Sequence, residues 1–133
     1  MKRELWAIWG SKCWKCEGEI VAAMNTAGLA FNPYTESGEM WSDKISESSL
    51  KILERFGVKI ELKYSKTLEN KYMANVCPSC GAIQGDWFIN EEFLDIMYDP
   101  PADFKLLLID NGELVDTLHT IDEFEVKYLE HSR

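Results

Sequence analysis

Cys13-Trp14-Lys15-Cys16 and Val76-Cys77-Pro78-Ser79-Cys80-Gly81 decide how this chain folds. The two C-x-x-C pairs contain all four of its cysteines. Two such pairs supply the four thiolates of a closed tetrahedral zinc site, a kind of site that contributes folding energy rather than chemistry. The C-x-x-C spacing lets two sulfurs from one tight turn reach the same ion, while the turn aims backbone N–H groups at them. Gly81 can adopt the backbone conformation such a turn needs, and Gly18 is expected to serve the first turn, one residue later than its counterpart. Lys12 and Lys15 would offset part of the negative charge of the thiolates.

The pairs are separated by 60 residues, and magnitude decides whether that matters. Closing such a loop costs about 4 kcal/mol, against roughly 10 kcal/mol or more from structural zinc binding. The metal dominates.

Working outward, Leu5 to Trp9 reads as a strand entering the first turn and Glu19 to Met24 as the strand leaving it. Residues 32–38 are rich in turn formers and read as a surface loop. Ile45, Leu50, Ile52, Leu53 and Phe56 fall mostly on one helical face, which predicts a helix near residues 44–56. Ser42 or Ser46 offers its N-cap, and Gly57 stands where a left-handed C-terminal residue is wanted. Val58 to Tyr64 alternates apolar and charged residues, the pattern of a half-buried strand. Tyr72 to Val76 enters the second turn, and Trp87-Phe88-Ile89 is read as leaving it in a strand, with Gly85 as a bulge. Phe104 to Ile109 is a strongly apolar strand. Asn111-Gly112 supplies the positive-φ pair of a tight hairpin, and Glu113 to Leu118 returns. In the last segment Thr120 and Glu123 form a capping box, which favours a helix over a strand.

Composition restricts the function. At 133 residues the chain reads as a single domain, 1–133, able to bury a modest core. Trp6, Trp9, Trp14, Trp41 and Trp87 are candidates for large buried surface. No apolar run reaches the roughly 18 to 20 residues of a membrane span. The N-terminus shows no secretory pattern, so a cytoplasmic location is expected, where reduced thiols favour zinc over disulfides. The net charge is −9, and it is unevenly spread. Residues 1–81 carry 11 Lys/Arg and 10 Asp/Glu, whereas residues 82–133 carry 3 and 13. Zinc held by four thiolates would take the total to about −11. Such a field repels a phosphate backbone overall, leaving Lys2, Arg3, Lys12 and Lys15 as local contacts.

Other chemistries find less support. A redox reading of Cys77-Pro78-Ser79-Cys80 lacks a preceding βαβ pattern and leaves the first C-x-x-C unexplained. His119 and His131 lie outside any metalloprotease or deaminase arrangement. No phosphate-binding Gly-rich loop or nucleophile elbow occurs. Glu91, Glu92, Asp95, Asp99 and Asp103 match no calcium loop and read as a solvated acidic face.

A longer pattern surrounds the second pair. Tyr64-Ser65-Lys66-Thr67 with Ala74-Asn75-Val76-Cys77-Pro78-Ser79-Cys80-Gly81-Ala82-Ile83-Gln84-Gly85-Asp86-Trp87-Phe88-Ile89 resembles a family of uncharacterised bacterial zinc-ribbon modules, which also carry a first C-W-K-C. The resemblance spans roughly residues 5–90. It implies metal ligation by Cys13, Cys16, Cys77 and Cys80 and no named activity. Glu17 departs from the family, where Gly or Lys usually follows the second cysteine.

The expected architecture is therefore α+β: a four-cysteine zinc ribbon over residues 5–90, with a helix-and-strand insert between its two hairpins. An acidic extension over 91–133 adds a β-hairpin and a helix. The expected function is a non-catalytic, zinc-stabilised binding or adaptor module with a protein partner. Nucleic-acid binding and thiol–disulfide exchange are the alternatives. Lys12, Lys15, Gln84, Asp86 and Trp87 are the candidate surface contacts, with Gln84 and Asp86 offering polar groups beside aromatic ones.

Overall fold

The computed structural model describes residues 3–26, 45–65 and 70–129. The expected loop at 32–38, the alternative cap Ser42, Trp41, Lys2 and His131 lie outside them. The described chain is α+β, with two antiparallel sheets and three helices.

The first sheet has the order β2-β1-β6-β7, from Arg3–Lys12 (β1), Glu19–Asn25 (β2), Lys105–Asp110 (β6) and Glu113–Leu118 (β7). The second has the order β3-β4-β5, from Ile60–Ser65, Asn70–Val76 and Ile83–Gln84. Helix α1 spans Glu47–Arg55, α2 Asp86–Ile96 and α3 Ile121–Phe124, the last continuing as a wider turn over Glu125–Leu129.

The apolar run of β6 shows why the first sheet is central. Leu106, Leu107, Leu108 and Ile109 are all buried, so both faces of the strand are covered. One face packs Ala7, Trp9, Leu106 and Leu108 against Ile89 and Phe93 of α2 and against Phe124. Trp9, Phe93 and Phe104 form a ring cluster there, with centroids 6.0 to 6.5 Å apart. The opposite face packs Trp6, Ile8, Leu107 and Ile109 against Ile52 and Leu53 of α1 and Ile60 of β3. The acidic C-terminal portion is thus woven into the same sheet as the first cysteine hairpin, β6 pairing with β1 from Arg3↔Asp110 to Ile8↔Lys105.

Local signals hold at several junctions. Ser46 caps α1 by accepting from the Ser49 N–H. At its other end Gly57 has φ +92, Gly57 N–H donates to Glu54 O and Val58 N–H to Leu53 O, the paired bonds of a Schellman closure. The buried Glu4 carboxylate joins β1 to this helix, accepting from Trp6 Nε1 at 2.9 Å and Ser49 Oγ at 2.9 Å. Asn111 and Gly112 have φ 52 and 83, and Asp110 pairs with Glu113 across the turn. A register shift leaves Val115 as an extra residue in β7. Thr120 Oγ1 accepts from Glu123 N–H, and Ile121 and Phe124 are buried, so the last segment is helical.

One element differs in kind. Trp87, Phe88 and Ile89 do not form an outgoing strand; they lie in α2. Three consecutive apolar residues suggest a strand, but Ile89, Phe93, Ile96 and Met97 recur at helical spacing and pack on the sheet. Gly85 is consequently no bulge. It precedes the helix with extended backbone, φ −59 and ψ 147.

The second sheet is fastened to the first by a side chain. Asn75 lies opposite Ile60 on β3, and its amide reaches the outer edge of β2, the last strand of the first sheet among the described residues. It accepts from Ala23 N–H at 2.9 Å and donates to Ala23 O at 3.0 Å, imitating a neighbouring strand.

Candidate metal centre

Each cysteine pair sits at the tip of a two-stranded unit. Cys13–Gly18 links β1 to β2, and Cys77–Ala82 links β4 to β5. The two turns have the same wiring. Cys13 N–H donates to Gly18 O at 2.8 Å and Glu17 N–H to Cys13 O at 3.0 Å. Cys77 N–H donates to Ala82 O at 3.0 Å and Gly81 N–H to Cys77 O at 2.9 Å.

This equivalence reassigns a residue. Glu17, with φ 63, occupies the left-handed position that Gly81 fills with φ 78 in the second turn. Gly18, expected to serve that purpose, has a different reason to be small. A Cβ there would stand 3.2 Å from Cys16 Sγ and 3.6 Å from Ser79 Oγ.

The four sulfurs come together from the two turns, all within 4.8 Å of one another. Cys13 Sγ lies 3.6 Å from Cys80 Sγ, and Cys16 Sγ lies 3.6 Å from Cys77 Sγ. All four thiols are free; Cys13 and Cys77 are buried, whereas Cys16 and Cys80 are exposed.

Backbone donors converge on the sulfurs. Lys15 N–H and Cys16 N–H point at Cys13 Sγ at 3.3 and 3.5 Å, and Gly18 N–H at Cys16 Sγ at 3.3 Å. Ser79 N–H points at Cys77 Sγ at 3.4 Å. Pro78 is tolerated because these donors lie two and three residues beyond the first cysteine, so its missing N–H costs nothing.

These contacts divide the thiols. Burial opposes ionisation of Cys13, but the Cys16 and Lys15 N–H groups, the Gln84 amide and the Cys80 thiol outweigh it, bringing the pKa down to about 6. Cys77 is lowered as well, chiefly by the Cys80 N–H acting against burial. At Cys16 the Gly18 N–H favours the thiolate, but neighbouring Cys77, burial and the other two thiols push it up to about 11. Packing four sulfurs this closely leaves them competing for negative charge, which a dication relieves.

The candidate contact residues are placed differently from one another. Gln84 does not face outward: it is fully buried, donating from Nε2 to Cys13 Sγ at 3.4 Å and to Ala82 O at 3.0 Å. It is a supporting residue of the cysteine cluster. Lys12 ends β1 opposite Glu19, and Lys15 is exposed on the first turn. Asp86 and Trp87 open α2. Of the tryptophans, Trp6 and Trp9 are buried as expected, but Trp14 is 61% exposed. Its Nε1 donates to Ile83 O at 2.7 Å, tying the first turn to β5. His119 is exposed and is not part of the cysteine cluster; its backbone N–H donates to Glu123 Oε1 at 2.6 Å.

Sequence reasoning passed over Asn75 as an anchor and Glu17 as the left-handed residue. The internal equivalence of the two turns, Cys-x-x-Cys followed by Glu17 or Gly81, is the signal that reveals the second. Comparison with protein-family models, curated proteins and solved structures finds no match to this chain. No helix among the described residues is long and apolar enough to cross a membrane.

Proposed function

We propose that the chain is a non-catalytic adaptor module that binds a protein partner and is clamped by one structural Zn²⁺ held by Cys13, Cys16, Cys77 and Cys80. One observation carries the metal part. Sulfurs at about 2.3 Å from a tetrahedral zinc stand about 3.8 Å from each other, and the two sulfur pairs joining the turns are separated by 3.6 Å. The donor set is wholly thiolate, which suits zinc among common divalent ions. When bound, zinc would neutralise two of the four thiolate charges and close its coordination shell, leaving no open position for a substrate. The resemblance to zinc-ribbon modules belongs to this proposal.

The residues around the cluster prepare it. The N–H groups of Lys15, Cys16, Gly18 and Ser79 orient the sulfurs, and Gln84 holds Cys13 from the buried side. The clamp would join the first sheet, through β1 and β2, to the second, through β4 and β5. A protein partner is favoured by the 3-to-13 imbalance of basic and acidic residues over 82–133, which steers toward a basic protein surface.

A second reading rests on Trp14. Its exposed indole, held by Ile83 O and next to Lys15, offers a stacking platform for a nucleobase. Binding of mixed single-stranded DNA and RNA at low salt, lost in Trp14→Ala and Lys15→Ala, would favour that reading. Thiol exchange through Cys77 and Cys80 would require metal-free protein.

The decisive experiment measures metal per chain by elemental mass spectrometry on protein purified without added metal, with circular dichroism during chelation. One zinc per chain, lost together with tertiary structure, is the expected result. Metal-free protein with thiols that oxidise pairwise would overturn the clamp and favour exchange chemistry.

A further inference from the structure

We propose that the outward face of α2 and the bend that follows it is the docking surface, and that its occupant is a basic segment of a partner protein carrying an aliphatic ridge flanked by Lys or Arg. This deepens the protein-binding reading above and depends on it.

Helix α2 has two apolar sides. Ile89, Phe93 and Met97 are buried against the first sheet. Leu94 and Tyr98, by contrast, are 51% and 75% exposed, and Phe88 is 37% exposed. Leu94 stands in the last turn of α2 and Tyr98 in the bend just beyond it, and Glu91, three residues before Leu94, neighbours it on the same side of the helix. A leucine and a tyrosine left exposed at the end of a helix supply apolar anchors for a partner segment.

Charge selects the occupant. From Ala82 to Phe104 the chain contains six acidic residues and no Lys, Arg or His. Two of the six are committed internally: Glu92 accepts from Trp9 Nε1 at 2.5 Å, and Asp103 accepts from Gly10 N–H at 3.0 Å. Glu91, Asp95 and Asp99 are exposed, and none of their carboxylates has a hydrogen-bond or ion-pair partner among the described residues.

Asp95 and Asp99 also stand at the wrong end of the helix. The C-terminus of α2 carries the negative end of its dipole and has no basic residue in its last turn. A cation supplied from outside would answer both the dipole and the two carboxylates. A second copy of this chain would instead place these acids against each other, and a phosphate backbone would be repelled.

The test uses the ¹⁵N-labelled full chain with its zinc content verified, titrated with a synthetic helical peptide of leucine and lysine at three- and four-residue spacing. The same peptide with glutamate replacing lysine is the control. The expected result is a set of amide shift changes centred on residues 88–99, weakened by salt and absent with the glutamate peptide. Leu94→Ser with Tyr98→Ser should lower affinity at least tenfold at an unchanged melting temperature, since both side chains are exposed. Asp122→Lys with Glu125→Lys, a charge reversal of exposed acids elsewhere, should leave those shift changes in place with less than threefold loss.

Shift changes spread over the acidic surface, or equal loss from both double variants, would reduce the binding to general charge attraction and overturn the proposal. So would a parent dimer in sedimentation that Leu94→Ser dissociates, which would make the face a self-interface. A failure here leaves zinc content and fold intact, whereas failure of the clamp reads as metal-free protein.

Discussion

Glu17→Gly is expected to stabilise the zinc-loaded protein. Glu17 holds φ 63 between two cysteine-turn residues and is exposed, with no side-chain bond among the described residues to hold it there. An L-residue in the left-handed region costs about 1–2 kcal/mol. Glycine removes that strain but adds about 0.4–1 kcal/mol of unfolded-state entropy to be overcome. The difference favours glycine by about 0.5–1 kcal/mol. With an unfolding entropy near 2.1 cal/mol/K per residue over 133 residues, this raises the melting temperature by about 2–4 °C. Calorimetric scans at fixed free zinc measure it, because metal concentration itself shifts apparent stability. The paired variant Gly18→Ala should behave oppositely. Its new methyl would crowd Cys16 Sγ at 3.2 Å, and overpacking of about 1–3 kcal/mol corresponds to roughly five- to 150-fold loss of zinc affinity. A lower melting temperature for Glu17→Gly with an unaffected Gly18→Ala would refute the assignment of the left-handed position.

Three other perturbations address the remaining structure. Asn75→Ala leaves the Ala23 N–H and C=O without their amide partner, so urea denaturation should show a loss of about 2–4 kcal/mol. Leu107→Ala opens a void on the sheet face beneath α1; it should cost about 2–5 kcal/mol while zinc per folded chain stays unchanged. Asp116 is held below the usual carboxylate range by hydrogen bonds from Lys127 Nζ at 2.7 Å and Tyr128 OH at 2.6 Å. A depressed pKa stabilises above the unfolded value, near 3.9, and the contribution fades as pH falls through the folded value. Asp116→Asn should therefore lose about 1 kcal/mol or less at pH 7, as Lys127 is largely exposed. Its deficit should vanish in acid, which thermal melts from pH 7 to pH 2.5 would show.

Much of the local structure was legible because short-range chemistry dictates it. The cap at Ser46, the left-handed Gly57, the Asn111-Gly112 turn and the helix after Thr120 each depend on a few adjacent residues. The element after the second cysteine pair was misread for the same reason. A three-residue apolar run looks like a strand when taken alone, whereas the helical repeat through Ile89, Phe93 and Met97 emerges over eleven residues. Gln84 looked like a surface group because polarity predicts exposure on average; its neighbour in space is a thiol 71 positions away.

By itself the sequence determined the α+β class and the pairing of four cysteines in two matched turns, because ligand type and spacing are properties of the chain. Tertiary structure decided the rest. It placed the C-terminal β6 beside β1, buried both faces of that sheet, and turned Asn75 into the fastener between sheets. It also left Trp14, Leu94 and Tyr98 exposed while burying Trp6, Trp9 and Gln84. The hydrophobicity of a side chain says how strongly it prefers burial; only long-range packing determines which of them obtain it.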